Sequence, residues 1–229
     1  MRYLNKIVFI NSAAIRYSEV QLDGNIHLIG TQGVGKSTIL RAILFFYNAD
    51  TQRLGIPVEK KSYQDYYFPY ADSSIIYEVA REDGWFTVLS YKTMNRICYR
   101  FIASPYRPDL FIDEEGAPYP SDRIRSVLDK NGIKYSGAIS TYEEYRNILY
   151  GNSDNKRDYS CYSLMESGSY QNIIRTIQNV LLNSRLEADY IKQTIITSLN
   201  EADSVIDLSR YRSHLSGFGA QLNDIGHRL

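Results

Sequence analysis

The run Gly30-Thr31-Gln32-Gly33-Val34-Gly35-Lys36-Ser37-Thr38 fits the spacing G-x-x-x-x-G-K-[ST] without deviation, and an apolar stretch follows it at once. Each residue type in that pattern has a chemical reason. Glycines let the backbone turn successive N–H groups inward into an anion nest, and a helix starting near Lys36 adds the positive end of its dipole. Lys36 is placed to reach the β- and γ-phosphates of a nucleotide, and the Ser37 hydroxyl to ligate Mg²⁺. The sequence therefore predicts ATP and Mg²⁺ as cofactors, held by Gly30, Thr31, Gln32, Gly33, Val34, Gly35, Lys36, Ser37 and Thr38, with Ser37 on the metal.

Hydrolysis asks for more than a phosphate cradle. An acidic residue must hold the Mg²⁺ and another group must orient the attacking water. Leu110-Phe111-Ile112-Asp113-Glu114 imitates an apolar strand ending in an acidic pair. Pro108 breaks that run in front and Glu115-Gly116-Ala117-Pro118 turns it behind, which predicts a hairpin tip instead. The chain then holds half of a hydrolytic site, and no catalytic residue is assigned.

Elements must carry this loop. Strands are expected at 6–10, 18–22 and 25–29, separated by the turn formers Asn11-Ser12 and Asp23-Gly24. Apolar residues at 39, 40, 43, 44, 46 and 47 predict a helix directly after the glycine loop. A polar loop, 48–71, contains Arg53 and Lys60-Lys61. Three runs, 74–80, 85–91 and 96–103, read as an antiparallel meander. Ser121 is a candidate cap for a helix over 123–130 that stops at Gly132. Thr141 with Glu144 makes a capping box for a second helix ending before Gly151. The last third reads as helical. Leu208, Tyr211, Leu215, Phe218, Leu222, Ile225 and Leu229 alternate by three and four, the period of a coiled-coil seam. We therefore expect a head lobe over 1–204 and the start of a coiled-coil arm, cut short, over 205–229.

Composition narrows the class. The 229 residues carry 26 Lys+Arg against 26 Asp+Glu, so any contact with nucleic acid must come from a local patch. Arg53 with Lys60-Lys61 is the most concentrated candidate. Cys98 and Cys161 are the only cysteines, too few for a disulfide scaffold, and no apolar run approaches a membrane span or a signal sequence. A cytoplasmic location and no membrane partner are expected. The chain has 21 tyrosines, which we read as builders of strands and half-wet surfaces rather than base stackers. His27 reads as a paired strand residue, and three scattered histidines make no metal cluster.

The block from Asn25 through the P-loop to Ile43 resembles the opening of SMC-type ATPases, whose loop normally reads G-x-N-G-x-G-K-S/T; Gln32 stands where that pattern has Asn. The block 141–151, followed by helices leading into a heptad seam, resembles the MukB-like branch, which includes bacterial condensins and the SMC-like subunit of Wadjet-type plasmid defence. The resemblance implies an α/β fold, a P-loop NTPase head lobe of ABC/SMC type with mixed and antiparallel sheet, whose C-terminal helices start a coiled coil. It implies that a C-terminal head lobe supplies the acidic strand and signature loop, that two heads sandwich ATP as a homodimer, and that accessory subunits and duplex DNA are partners. It also implies a nucleotide contact from Arg53 and a Q-loop glutamine on the metal, for which Gln171 stands in about the right place.

Two functions from different classes follow. One is an ATP-driven ATPase that organises DNA or defends against foreign DNA. The other is a nucleotide-gated interaction module that binds ATP without turnover. A self-contained P-loop kinase or GTPase fits less well, since neither an acidic strand nor a guanine-specificity motif is present.

Overall fold

Five segments rich in β-branched and aromatic residues form one sheet, in which two-residue turns make three of the four neighbouring pairs and a long connection makes the fourth. In the computed structural model, residues 2–164 are described apart from 25, 49, 52, 53, 55, 57–60, 95 and 152–158. Strand β1 (Tyr3–Ser12) pairs with β2 (Ile15–Gln21), and Ser12 faces Ile15 across Ala13-Ala14. Ala13 takes φ 54 there, the left-handed backbone that tight hairpins require. Strands β3 (Ser74–Arg81), β4 (Gly84–Thr93) and β5 (Arg96–Ile102) form the expected meander, with Arg81 facing Gly84 and Thr93 facing Arg96. The spatial order is β2-β1-β3-β4-β5.

All four pairings are antiparallel, so the expected mixed sheet is corrected to a purely antiparallel one. The physical reason lies at 26–29. This segment was expected to be a strand, but a parallel strand exists only where neighbours cover it. Residues 26–29 pair with nothing among the described residues, Ile29 is 90% exposed, and His27 is exposed rather than paired in a strand.

Period-two alternation sends side chains to two cores. On the first face, Phe9, Ile75, Tyr77, Val79, Phe86, Val88, Tyr99 and Phe101 pack under helix α1 (Lys36–Asn48) and helix α4 (Tyr142–Leu149). On the second, Val8, Ile76, Leu89 and Ile102 meet Leu110, Phe111 and the Ile124 and Leu128 side of helix α3 (Ser121–Lys130). The capping box is half seen, since Thr141 Oγ1 accepts from the Glu144 amide at 3.3 Å. Ser121 does not cap α3; it is already helical, and the Pro120 carbonyl accepts the first helical bond, from the Ile124 amide. The Asp113 segment is a turn, closed by Asp113 Oδ1 accepting from the Glu115 and Ala117 amides.

The tyrosines explain how α1 is held. Tyr145 Oη donates to the Phe46 carbonyl at 2.6 Å and Tyr150 Oη to the Tyr47 carbonyl at 2.7 Å. Both carbonyls lie in the last turn of α1, where no intrahelical donor reaches them. Farther back, Tyr77 Oη donates to the Ala42 carbonyl at 3.1 Å and Tyr67 Oη to the Thr38 carbonyl at 2.7 Å. Tyrosine hydroxyls from three separate elements thus grip one helix from its first turn to its last.

Among the described residues no helix is long and apolar enough to cross a membrane. The expected coiled-coil arm and the boundary at 204 lie outside the described residues.

Candidate functional site

The glycine loop folds as its sequence demands. Gly33 and Gly35 have φ 89 and 95, a backbone costly for any side chain bearing a Cβ. A Cβ on Gly30 would come within 2.7 Å of Val34 Cγ2, so any larger residue there would make the exposed Val34 side chain shift. Helix α1 begins at Lys36, and the Gly35 carbonyl accepts from the Thr38 and Ile39 amides. The first amides of α1 have no intrahelical acceptor and mark the positive end of its dipole.

Lys36 reaches back over the loop. Its Nζ donates to the Gly30 carbonyl at 2.6 Å and to the Thr31 carbonyl at 2.7 Å. Ser37 stands exposed in the first turn, and its hydroxyl has no partner among the described residues. Val34 points outward, 59% exposed.

This loop floors a cleft of about 790 Å³ lined by Gln32, Gly33, Gly35, Lys36, Ser37, Thr38, Arg41, Ile56, Lys61, Tyr66 and Tyr67. Three of those residues are cationic, and among the described residues that line it none is acidic. A concavity with Lys36, Arg41 and Lys61 on its walls and a helix N-terminus at its floor favours a polyanion. The donor set fits a nucleotide triphosphate, with the exposed Ser37 hydroxyl available to a divalent cation.

Helix α2 (Tyr63–Tyr67) forms the facing wall, inside the segment expected to be a plain loop. Ser62 Oγ caps it by accepting from the Asp65 amide at 3.1 Å. Tyr63 stacks on Phe45 at 4.3 Å and Tyr67 stacks on Tyr63 at 4.1 Å, so α2 is riveted to α1 through rings. Burial pushes the Tyr67 phenol well above its ordinary range, so Tyr67 acts as a neutral donor to the Thr38 carbonyl. Tyr66 lies beside it with its hydroxyl 3.2 Å from Thr38 Oγ1.

Of the residues expected at the site, Gln32, Gly33, Gly35, Lys36, Ser37 and Thr38 line the cleft, while Gly30 and Thr31 hold Lys36 through their carbonyls. Arg53 and Gln171 lie outside the described residues. Sequence reasoning missed Arg41, Tyr66 and Tyr67. Arg41 had a signal, since it falls three residues after Thr38 on the same side of α1. Tyr66 had none, because its place depends on ring stacking between distant segments. Lys61, read as part of a basic surface loop, stands on the cleft wall.

An antiparallel sheet covered by helices, with a G-x-x-x-x-G-K-S loop opening the helix that packs on it, defines an α/β protein with a cationic cleft beside a glycine loop. The chain belongs to a family described as a protein of unknown function, DUF3584, whose model matches residues 12–216. The match is consistent with an SMC-like domain. No curated protein matches the chain.

Proposed function

We propose that this chain is the ATP-binding N-terminal lobe of an SMC-like ATPase, of the MukB-like branch, whose ATP-driven head dimerisation acts on DNA. The observation that carries the reading is the cleft itself: the phosphate loop, Lys36, Arg41 and Lys61 surround about 790 Å³, and no described residue there is acidic. On this reading the first amides of α1 and the Lys36 ammonium hold the β- and γ-phosphates, and the Ser37 hydroxyl takes Mg²⁺. Bound Mg²⁺ supplies charge neutralisation on the phosphates. The family match supports the SMC-like part of the reading.

Turnover needs an acid that the described part of the cleft does not hold. Asp113 is committed to its own turn, accepting from two backbone amides. The chain by itself is therefore proposed to bind ATP without turning it over, with a C-terminal lobe and a second head supplying the rest. Duplex DNA contact is proposed through Arg53 and Lys60-Lys61, weak and salt-dependent because it rests on phosphates.

Calorimetry with Mg·ATP tests the core of this. Lys36→Ala is expected to weaken binding by about 2–3 kcal/mol, the cost of losing charge-assisted bonds to phosphate. Equal affinity in the variant removes the phosphate-loop reading.

A further inference from the structure

The cleft is larger than a phosphate chain needs. A volume of about 790 Å³ lies within the range of sites that enclose a whole small molecule. Phosphates occupy the floor, near the loop and Lys36, so the nucleoside must leave along a wall. The α1 wall offers Thr38 and Arg41, both polar, whereas the opposite wall offers Ile56 and the Tyr66 ring. Tyr67 is buried, but Tyr66 is 38% exposed and lines the cleft.

We propose that Tyr66 is the nucleoside contact of this cleft, packing its ring on the base or ribose of the nucleotide whose phosphates the loop holds. The inference rests on the phosphate-loop reading of the preceding subsection and adds a residue that no phosphate motif predicts. Tyr66 is well built for the task. Its ring stands edge-on to Tyr67 at 5.0 Å and 81°, and Tyr67 is stacked into the core and bonded to the Thr38 carbonyl. The Tyr66 hydroxyl meets Thr38 Oγ1 in the first turn of α1, two residues beyond Lys36. Base-facing ring and phosphate-facing helix are thus locked to one another, which fixes the distance between the two halves of a ligand before it arrives. A π face recognises any base, so the contact is expected to favour nucleotides over bare polyphosphates without choosing strongly among bases.

Calorimetry on the full 229-residue chain with Mg·ATP and with inorganic tripolyphosphate separates the two halves. Tyr66→Ala is expected to lose roughly tenfold or more in ATP affinity, the scale of one base–aromatic contact, and to bind tripolyphosphate like the wild type. Tyr66→Leu, which keeps bulk against Tyr67 but removes the π face, carries the same expectation, and Tyr66→Phe should retain most of the ATP affinity. Lys36→Ala should weaken both ligands. Unchanged ATP binding in Tyr66→Ala and Tyr66→Leu, beside a normal loss in Lys36→Ala, overturns the role of Tyr66 alone. Equal losses of ATP and tripolyphosphate in the Tyr66 variants also overturn it, since the side chain would then merely shape the loop. Wild-type affinity for both ligands in Lys36→Ala overturns the phosphate-loop reading and this inference together.

Discussion

The two faces of the sheet solve the problem of buried polarity in different ways. The α1 face buries tyrosines and sets four of their hydroxyls on the carbonyls of one helix, from Thr38 to Tyr47. The α3 face buries charged groups. Glu78, 6% exposed, accepts from Asn5 Nδ2 at 2.7 Å and from the Tyr106 amide at 2.6 Å. Arg100, 5% exposed, lies over the Tyr135 ring with its carbon 5.2 Å from the centroid. Neutral hydroxyls cost little to bury and hold their partners at any ordinary pH, whereas a buried carboxylate is stable only while its donors stay in place. The face that carries the cleft is the one built from the cheaper groups.

The largest expected effect falls on the charged face. Glu78→Ala leaves the Asn5 amide and the Tyr106 N–H buried without an acceptor, which costs about 3–5 kcal/mol by chemical denaturation. A loss under about 1 kcal/mol would mean that Glu78 is not structurally committed, and the contrast between the faces would weaken. Next come the tyrosines. Tyr145→Phe strips the Phe46 carbonyl of its donor in a turn where α1 offers no other, so about 1–3 kcal/mol is expected. Tyr77→Phe should cost only about 0.5–1 kcal/mol, because the Ala42 carbonyl keeps its helical bond to the Phe46 amide. Equal losses in the two variants would show that helix position does not set the value of these hydroxyls.

The last expected effect is a dependence on pH. Burial, reinforced by neighbouring tyrosines, raises the Tyr145 phenol well above its ordinary value, and burial does the same for Tyr77. A tyrosine whose folded pKa lies above its unfolded value, about 10, contributes its full stability below pH 10. That contribution is lost as pH rises from 10 toward the folded value. Unfolding free energy should therefore fall as pH rises above about 10, with a shallower decline in Tyr145→Phe than in the wild type. An identical slope in both would remove Tyr145 from the account.

Much of the α1 face was legible in the residues. The glycine loop, the apolar run behind it and the meander are local patterns, and local patterns survive folding. The Thr141 cap and the Asp113 turn follow from side chains that bond their own backbone within four residues. Helix α2 was not legible, because its five residues sit between Pro57 and Pro69 and are held by Phe45 stacking rather than by helix-forming tendency. The segment 26–29 misled for the opposite reason. Its apolar character suits a strand, but a strand is a property of two segments, and none of the described residues pairs with it. Within the cleft, the floor could be read from spacing and the Tyr66 wall could not.

The grip on α1 also changes how divergence in this family should be scored. Ordinary substitution tables treat Tyr and Phe as near-synonyms. Here the exchange is costly at Tyr145, where the oxygen as well as the ring closes the end of a helix. A relative bearing Phe at 145 would have to supply another donor to the carbonyl of residue 46, so a change at 145 should be matched by a new donor near the end of α1, whatever residue stands at 46.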